Sequence, residues 1–309
     1  MDTCKNSSGR KLLSREASTA QVRWLRWSIS IVVASYLAIV GLLILWFRDR
    51  ISHWGIYASL HFCLGLLILR LPSSNQNSHA LRQFLLDWYP VFLFPILYKE
   101  VEYLASALGN WSLTWLVRDL ETRLFNGQPS IYLSERLPWV PLSEFLHFSY
   151  LAYVFLIPGI GGYWYAKRRS YFFELIFVAT LTYLTSYLFY ILFPVDSPFY
   201  LARPLSTPFA GYLFYDVVHI VSRHGGARGG AFPSSHVSIA TVVFLLTWHR
   251  ERRLCLFISP VILGIIIATV YGRFHYTLDV IAGVGLGTLA IGVWRILLAK
   301  QKTLRDHTI

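Results

Sequence analysis

The chain has 309 residues, of which 55% are hydrophobic, 17% aromatic and only 14% charged, with a formal net charge of +12. Apolar runs of membrane-spanning length recur along it, which excludes a single water-soluble core. Its basic residues sit in short flanks rather than on one folded face, so no nucleic-acid partner is expected.

The tail 1–26 carries Arg10, Lys11, Arg15, Arg23 and Arg26. A hydrocarbon core takes about 20 apolar residues per helix, and residues 27–47, free of charged side chains, meet that requirement. This run is too long for a signal-peptide core and no clear cleavage site follows it, so it reads as retained. Spans are expected next at 51–69 and 84–108. Pro90 and Pro95 suggest kinks in the latter, which also carries Lys99, Glu100 and Glu102. Lys99 and Glu102 can pair at i, i+3, and the plain reading of these charges is a buried ion pair between helices. Alternatively, Lys99 faces a functional cavity as a phosphate-binding cation, since charges at membrane depth tend to serve a site. Residues 110–141 read as one or two interfacial amphipathic helices. Trp111, Trp115, Leu116, Leu120 and Leu124 form their apolar stripe, and Arg118, Asp119, Glu121 and Arg123 their polar one. Further spans are expected at 144–166, 171–193, 235–248, 254–271 and 276–298. The expected fold is therefore an all-α polytopic transmembrane bundle of about eight spans, and no fewer than six. It divides into a cytoplasmic tail (1–26), N-terminal transmembrane and interfacial helices (27–142), a catalytic transmembrane region (143–298) and a second cytoplasmic tail (299–309).

Lys and Arg collect in cytoplasmic flanks. The basic residues of the N-terminal tail form one cluster. Lys167, Arg168 and Arg169 form a second, Arg250, Arg252 and Arg253 a third, and Lys300, Lys302 and Arg305 a fourth. With eight spans all four fall on one side, together with both termini. The loop 194–233 and both motifs described below then lie on the opposite face. Attraction to anionic lipid accounts for the rest of the basicity.

Two histidine motifs stand where spans begin. The first is Gly229-Gly230-Ala231-Phe232-Pro233-Ser234-Ser235-His236. Ser234 or Ser235 can cap the following helix, whose free N–H groups attract an anion. Gly225, Gly226, Gly229 and Gly230 let the backbone approach a ligand, and Arg228 lies among them. His236 can give a leaving oxygen its proton. The second motif is Tyr271-Gly272-Arg273-Phe274-His275-Tyr276-Thr277-Leu278-Asp279. His275 and Asp279, four apart, share a helical face. A hydrogen bond to Asp279 would fix the His275 tautomer and leave the other ring nitrogen as a nucleophile. Arg273 can clamp phosphate oxygens with its planar fork. His53, His61, His147, His219, His224 and His249 have no partner at ligand spacing and read as packing or interfacial residues. Cys4, Cys63 and Cys255 match no metal or redox spacing, so no disulfide, metal or cofactor is expected.

At these residues the chain resembles the type 2 phosphatidic acid phosphatase (PAP2) superfamily, which also contains the vanadium haloperoxidases. More narrowly, it resembles the branch of inositol phosphorylceramide and sphingomyelin synthases. Pro233, Ser234 and His236 match the family's Pro-Ser-x-His. His275 and Asp279, followed by Val280-Ile281-Ala282-Gly283, match its last motif, and Arg203-Pro204 the end of its first. The resemblance is specific over about 194–298. It implies a metal-independent reaction in which His275 forms a phosphohistidine, Asp279 orients it and His236 protonates the leaving group. Ser234, Arg203 and Arg273 would bind phosphate, with Ser235, Gly230 and Lys99 as further candidates. Two family cations are replaced, by Asp196 and Thr269, and Arg273 stands only two positions before His275. That pattern is compatible with the synthase-like branch.

The expected activity is lipid phosphate hydrolysis or phosphotransfer within a bilayer. The substrate is a phospholipid or lipid phosphate, and the acceptor is water or a lipid alcohol. Headgroup transfer is the first alternative. A lipid-binding or transport protein without turnover is the second, and the presence of both histidines and Asp279 argues against it.

Overall fold

A computed structural model describes residues 3–73, 79–108, 111–201 and 211–306. Among the described residues there are twelve α-helices, two short 3₁₀ turns and no β-strand. The helices are α1 (Thr3–Trp46), α2 (Trp54–Arg70), α3 (Ala80–Leu108), α4 (Thr114–Phe125), α5 (Pro129–Arg136), α6 (Val140–Lys167), α7 (Arg169–Leu192), α8 (Pro198–Leu201), α9 (Leu213–Gly225), α10 (Ser235–Arg250), α11 (Arg252–Tyr271) and α12 (Thr277–Asp306).

All eight expected spans are helical. Five helices are long and apolar enough to cross a membrane: residues 19–46 of α1, α6, α7, α11, and residues 277–301 of α12. The chain is an integral membrane protein. The other three expected spans fall short of that measure for visible reasons. α2 has 17 residues and α10 has 16, and α3, with 29, carries Asp87, Lys99, Glu100 and Glu102. The expected interfacial segment forms α4 and α5.

The chain divides into two compact units, residues 1–92 with 159–180 and residues 93–158 with 181–309. In the first, α1 packs along α2, and Gly65 lies against Ala34 and Leu37. A fully buried carboxylate, Asp87, organises the polar interior of this unit. Arg26 donates to it at 2.7 Å, and Arg169 donates to its other oxygen. Gln83 and Tyr165 each add a hydrogen bond at 3.1 Å. The guanidinium of Arg26 also lies over the Phe173 ring at 5.1 Å, and that of Arg169 over Tyr165 at 4.5 Å.

In the second unit α10 packs against α11 and α12. The approach of α12 to α10 is close because glycine faces it twice, one helical turn apart. A Cβ added to Gly283 would lie 2.7 Å from the Ser234 carbonyl oxygen, and one added to Gly287 would lie 2.5 Å from that of Ser238 and 2.9 Å from Thr241 Cβ. Small residues at this spacing let backbones meet where lipid supplies no hydrophobic drive. The contact holds the helix that begins at the first histidine motif against the helix that begins at the second.

Overpacking this contact should therefore destabilise the fold. Gly287→Val is expected to cost about 1–3 kcal/mol, read as a lowered thermal midpoint of the detergent-solubilised protein. Gly285→Ala, whose added Cβ meets nothing within 4 Å, should leave the midpoint in place.

Candidate active site

The second histidine motif occupies the turn between α11 and α12. Backbone bonds pin it: Gly272 N–H donates to Ala268 O at 2.8 Å, Arg273 N–H to Val270 O at 3.0 Å and His275 N–H to Thr269 O at 2.9 Å. Arg273 takes the left-handed conformation, φ +61°, which a residue with a side chain adopts at a cost. From the loop after α7, the Ser197 hydroxyl donates to the Phe274 carbonyl at 2.6 Å. The turn is thus held from both sides.

The first motif lies in a loop tied to the residues just after α7. Val195 pairs with Gly230 in an isolated parallel bridge. Its N–H donates to Gly229 O at 3.0 Å and its carbonyl accepts from Ala231 N–H at 2.9 Å. Asp196 accepts the Gly229 N–H at 3.0 Å, and Gly229 itself has φ +80°, the left-handed region that glycine enters without a steric penalty. Ser234, not Ser235, is the N-cap of α10, with its side chain accepting the Val237 N–H at 3.4 Å. The buried Tyr190 hydroxyl donates to Pro233 O at 2.9 Å and accepts the Ser235 N–H at 3.1 Å.

Two bonds cross-link the motifs. Ser234 N–H donates to the Asp279 carbonyl at 3.0 Å, and His275 Nδ1 lies 3.0 Å from the Ala231 carbonyl. A carbonyl only accepts, so Nδ1 carries a proton, and of the two neutral tautomers this contact selects the one with its lone pair at Nε2. The Asp279 carboxylate stands 3.4 Å from the same Nδ1, and it accepts the Tyr276 N–H at 2.8 Å. The carbonyl is therefore the nearer partner of Nδ1 and the carboxylate the farther one. The rings of His275 and His236 lie 5.6 Å apart between centroids. His236 stacks on Tyr150 at 4.6 Å with 16° between the planes, and Tyr153 packs against it at 4.1 Å. Its Nδ1 is buried and has no hydrogen-bond partner among the described residues.

The candidate residues thus fall into distinct groups. His236, His275, Asp279, Ser234 and Ser235 come together, and Gly230 sits in the bridge beside them. Arg273 lies two residues before His275, but its Nε donates to Ser134 at 3.0 Å and its guanidinium stands 3.8 Å from Glu135. Its Nη2 is buried and has no hydrogen-bond partner among the described residues. Burial lowers the Arg273 pKa, with Glu135 opposing the shift. Lys99 is exposed, and its ammonium donates to the His224 and Gly225 carbonyls at 3.1 and 3.0 Å, as a cation at the C-terminus of α9 does. Arg203 lies outside the described residues.

Several participants were not legible in the sequence. Tyr150, Tyr153, Tyr190 and Ser197 carry no motif. His147 and His219, expected as packing or interfacial residues, do pack: their ring centroids lie 5.4 Å apart and both lie against Phe274. Glu121, expected on the polar stripe of α4, is fully buried and accepts the Thr277 N–H at the start of α12. The apolar stripe of α4 faces outward, with Trp115 68% and Leu124 65% exposed. That fits the expected interfacial helix, whose apolar face turns to lipid, and of the polar stripe only Glu121 is buried. Among the described residues, no three His, Cys, Asp or Glu side chains converge as metal ligands.

A family model described as the PAP2 superfamily matches residues 119–293, more than half of the chain, from within α4 to within α12. No curated protein and no solved structure matches the chain.

The stacking on His236 can be tested directly. Tyr150→Leu should lower steady-state kcat roughly 2- to 10-fold, the rate equivalent of the about 0.5–1.5 kcal/mol that an aromatic pair adds. Tyr150→Phe keeps the ring and should stay close to wild type.

Proposed function

Because the chain belongs to the PAP2 superfamily, we propose that it is a membrane lipid phosphatase or phosphotransferase working through a phosphohistidine. The observation that carries this reading is the juxtaposition of two histidines, one with its tautomer set so that Nε2 holds a lone pair.

In the proposed reaction, His275 Nε2 attacks the phosphorus of a lipid phosphate ester. The N–P bond forms and the P–O bond to the leaving alcohol breaks, while His236 gives that oxygen its proton. Charge growing on the imidazole is compensated by Asp279 across the ring. Water or a lipid alcohol then gives its proton to His236 and attacks phosphorus, and the N–P bond breaks. Arg203 and Arg273 are proposed as the phosphate-binding cations, with Ser234, Ser235, Gly230 and the start of α10 shaping the cradle. For Arg273 this requires the Glu135 contact to yield to the substrate. Lys99 has the weaker claim, since two carbonyls already hold its ammonium. The active site is proposed to open on the non-cytoplasmic face, with both termini in the cytoplasm.

Headgroup transfer of the inositol phosphorylceramide synthase kind is a second reading. It is compatible with Asp196, which stands where the resemblance expects a phosphatase lysine and whose carboxylate accepts the Gly229 N–H.

Incubation of the purified protein with a phospholipid panel, with and without alcohol acceptors, separates the readings. Released phosphate means hydrolysis, and a headgroup-exchanged lipid means transfer. His275→Ala should abolish both, whereas Asp279→Asn should leave weak turnover. Vanadate, which takes the five-coordinate geometry of phosphorus in flight, should inhibit, and EDTA should not. Arg273→Ala should cost roughly 10²–10³ in rate if this donor acts on the transition state. Full activity in His275→Ala, or activity lost to EDTA and restored by a divalent ion, would overturn the mechanism. Topology is checked separately. Thiol-reactive probes should label cysteines placed in the 194–233 loop from outside the cell, and should not reach cysteines near Arg168 or Arg252.

A further inference from the structure

α4 buries an unusual face. Thr114, Val117 and Glu121 turn inward while its large apolar side chains turn outward. Val117 joins a small core with Val195, Ala231 and Tyr276, and so packs against both histidine motifs. One helical turn further on, Glu121 has 0% of its surface exposed. A buried carboxylate is costly unless something holds it. Glu121 Oε1 accepts the N–H of Thr277, the first residue of α12, while its Oε2 and the Thr277 hydroxyl have no hydrogen-bond partner among the described residues.

The placement of that bond matters for the chemistry. α12 begins two residues after His275, and the first N–H groups of a helix have no partner within it. The Tyr276 N–H goes to Asp279, and the adjacent Thr277 N–H goes to Glu121. One carboxylate comes from α12 itself and the other from a different helix. Both also meet the positive end of the α12 dipole. Burial, with the charge of Asp279 adding to it, pushes the Glu121 carboxyl above the usual range, while its hydrogen bond to Thr277 opposes this.

We propose that Glu121 is a positioning residue for the His275–Asp279 pair, fastening the first turn of α12 to α4 and thereby fixing the line along which the His275 ring meets its target. It acts through the backbone of Thr277 and not on the reacting atoms. This role rests on the proposed histidine chemistry, but the bond it names can be tested without turnover.

The experiment compares Glu121→Ala, Glu121→Gln and Thr277→Pro in the full chain reconstituted in nanodiscs. The glutamine carbonyl still accepts from Thr277. Proline removes the donor N–H at a helix position that tolerates it. A displacement of about 1 Å at a reacting group can cost on the order of 10²-fold, so Glu121→Ala and Thr277→Pro should each lower kcat about 10- to 100-fold with little change in KM. Glu121→Gln should recover most of that loss. The double variant Glu121→Ala with Thr277→Pro should lose little more than either alone, since both remove one bond. Independently of activity, 15N-histidine spectra should show the His275 ring, assigned by its absence in His275→Ala, as one Nδ1-protonated form in wild type and as a broadened or mixed population in the alanine and proline variants. A purely structural role would lower the melting temperature and leave kcat per folded molecule and the His275 resonances unchanged, which would overturn the proposal. A glutamine variant as impaired as alanine would overturn it too, because the acceptor would then not be what matters. If wild type turned over no lipid phosphate, the proposed function would fail, while the spectra would still decide whether Glu121 holds the His275 turn.

Discussion

A helix that starts among apolar side chains must find partners for its first N–H groups, because in a lipid-facing protein each one left bare costs several kcal/mol. α12 meets this constraint with two carboxylates, Asp279 from its own first turn and Glu121 from α4. The rest of the site is arranged around that solution. Asp279 is placed by capping its own helix, and the cap sets it beside His275 Nδ1. The Asp279 carbonyl then receives the Ser234 N–H, while the His275 ring is tied to the Ala231 carbonyl. One set of hydrogen bonds therefore closes a helix end, joins two loops distant in sequence and selects the tautomer of a histidine.

Such bonds need backbones that approach closely, and the chain supplies this with small side chains. Gly283 and Gly287 let α12 lie against the Ser234–Thr241 stretch of α10. At the start of α10, the single Tyr190 hydroxyl satisfies both Pro233 O and Ser235 N–H. The aromatic side chains of α6 then pack over His236 from a helix that carries no catalytic motif. Rigid rings suit this task because they hold an imidazole in place without competing for its nitrogens.

The charges of the first unit serve a different purpose. Asp87 is surrounded by Arg26, Arg169, Gln83 and Tyr165, a set that neutralises and hydrogen-bonds a carboxylate no water can reach. Removing either partner of such a pair would leave an uncompensated charge, a loss of about 3–5 kcal/mol in comparable buried cases. Nothing in this cluster resembles the histidine chemistry of the second unit. Its residues come from α1, α3, α6 and α7, which it ties together within the first unit.

Much of this was legible in the order of residues. Uninterrupted apolar runs specify helices of membrane length because a bilayer has a fixed thickness and demands satisfied backbones. The four-residue step from His275 to Asp279 puts both on one helical face, and Ser234 before His236 announces a helix start. These are local facts, and the family they suggested is the one whose model matches the chain. What the sequence could not express was which side of an amphipathic helix turns inward. α4 reads as a polar stripe and an apolar stripe, and in water the polar one would be outside. Only the packing of Val117 against the histidine loops decides that Glu121 is buried and that Trp115 and Leu124 face out. The same holds for Ala231, whose contribution is a carbonyl that any residue possesses, and for Tyr150 and Tyr153, which are two aromatics among many until α6 is laid beside α10. Spacing along the chain determines the faces of a helix. Which face meets which partner depends on contacts between residues far apart in sequence, and those exist only once the chain has folded.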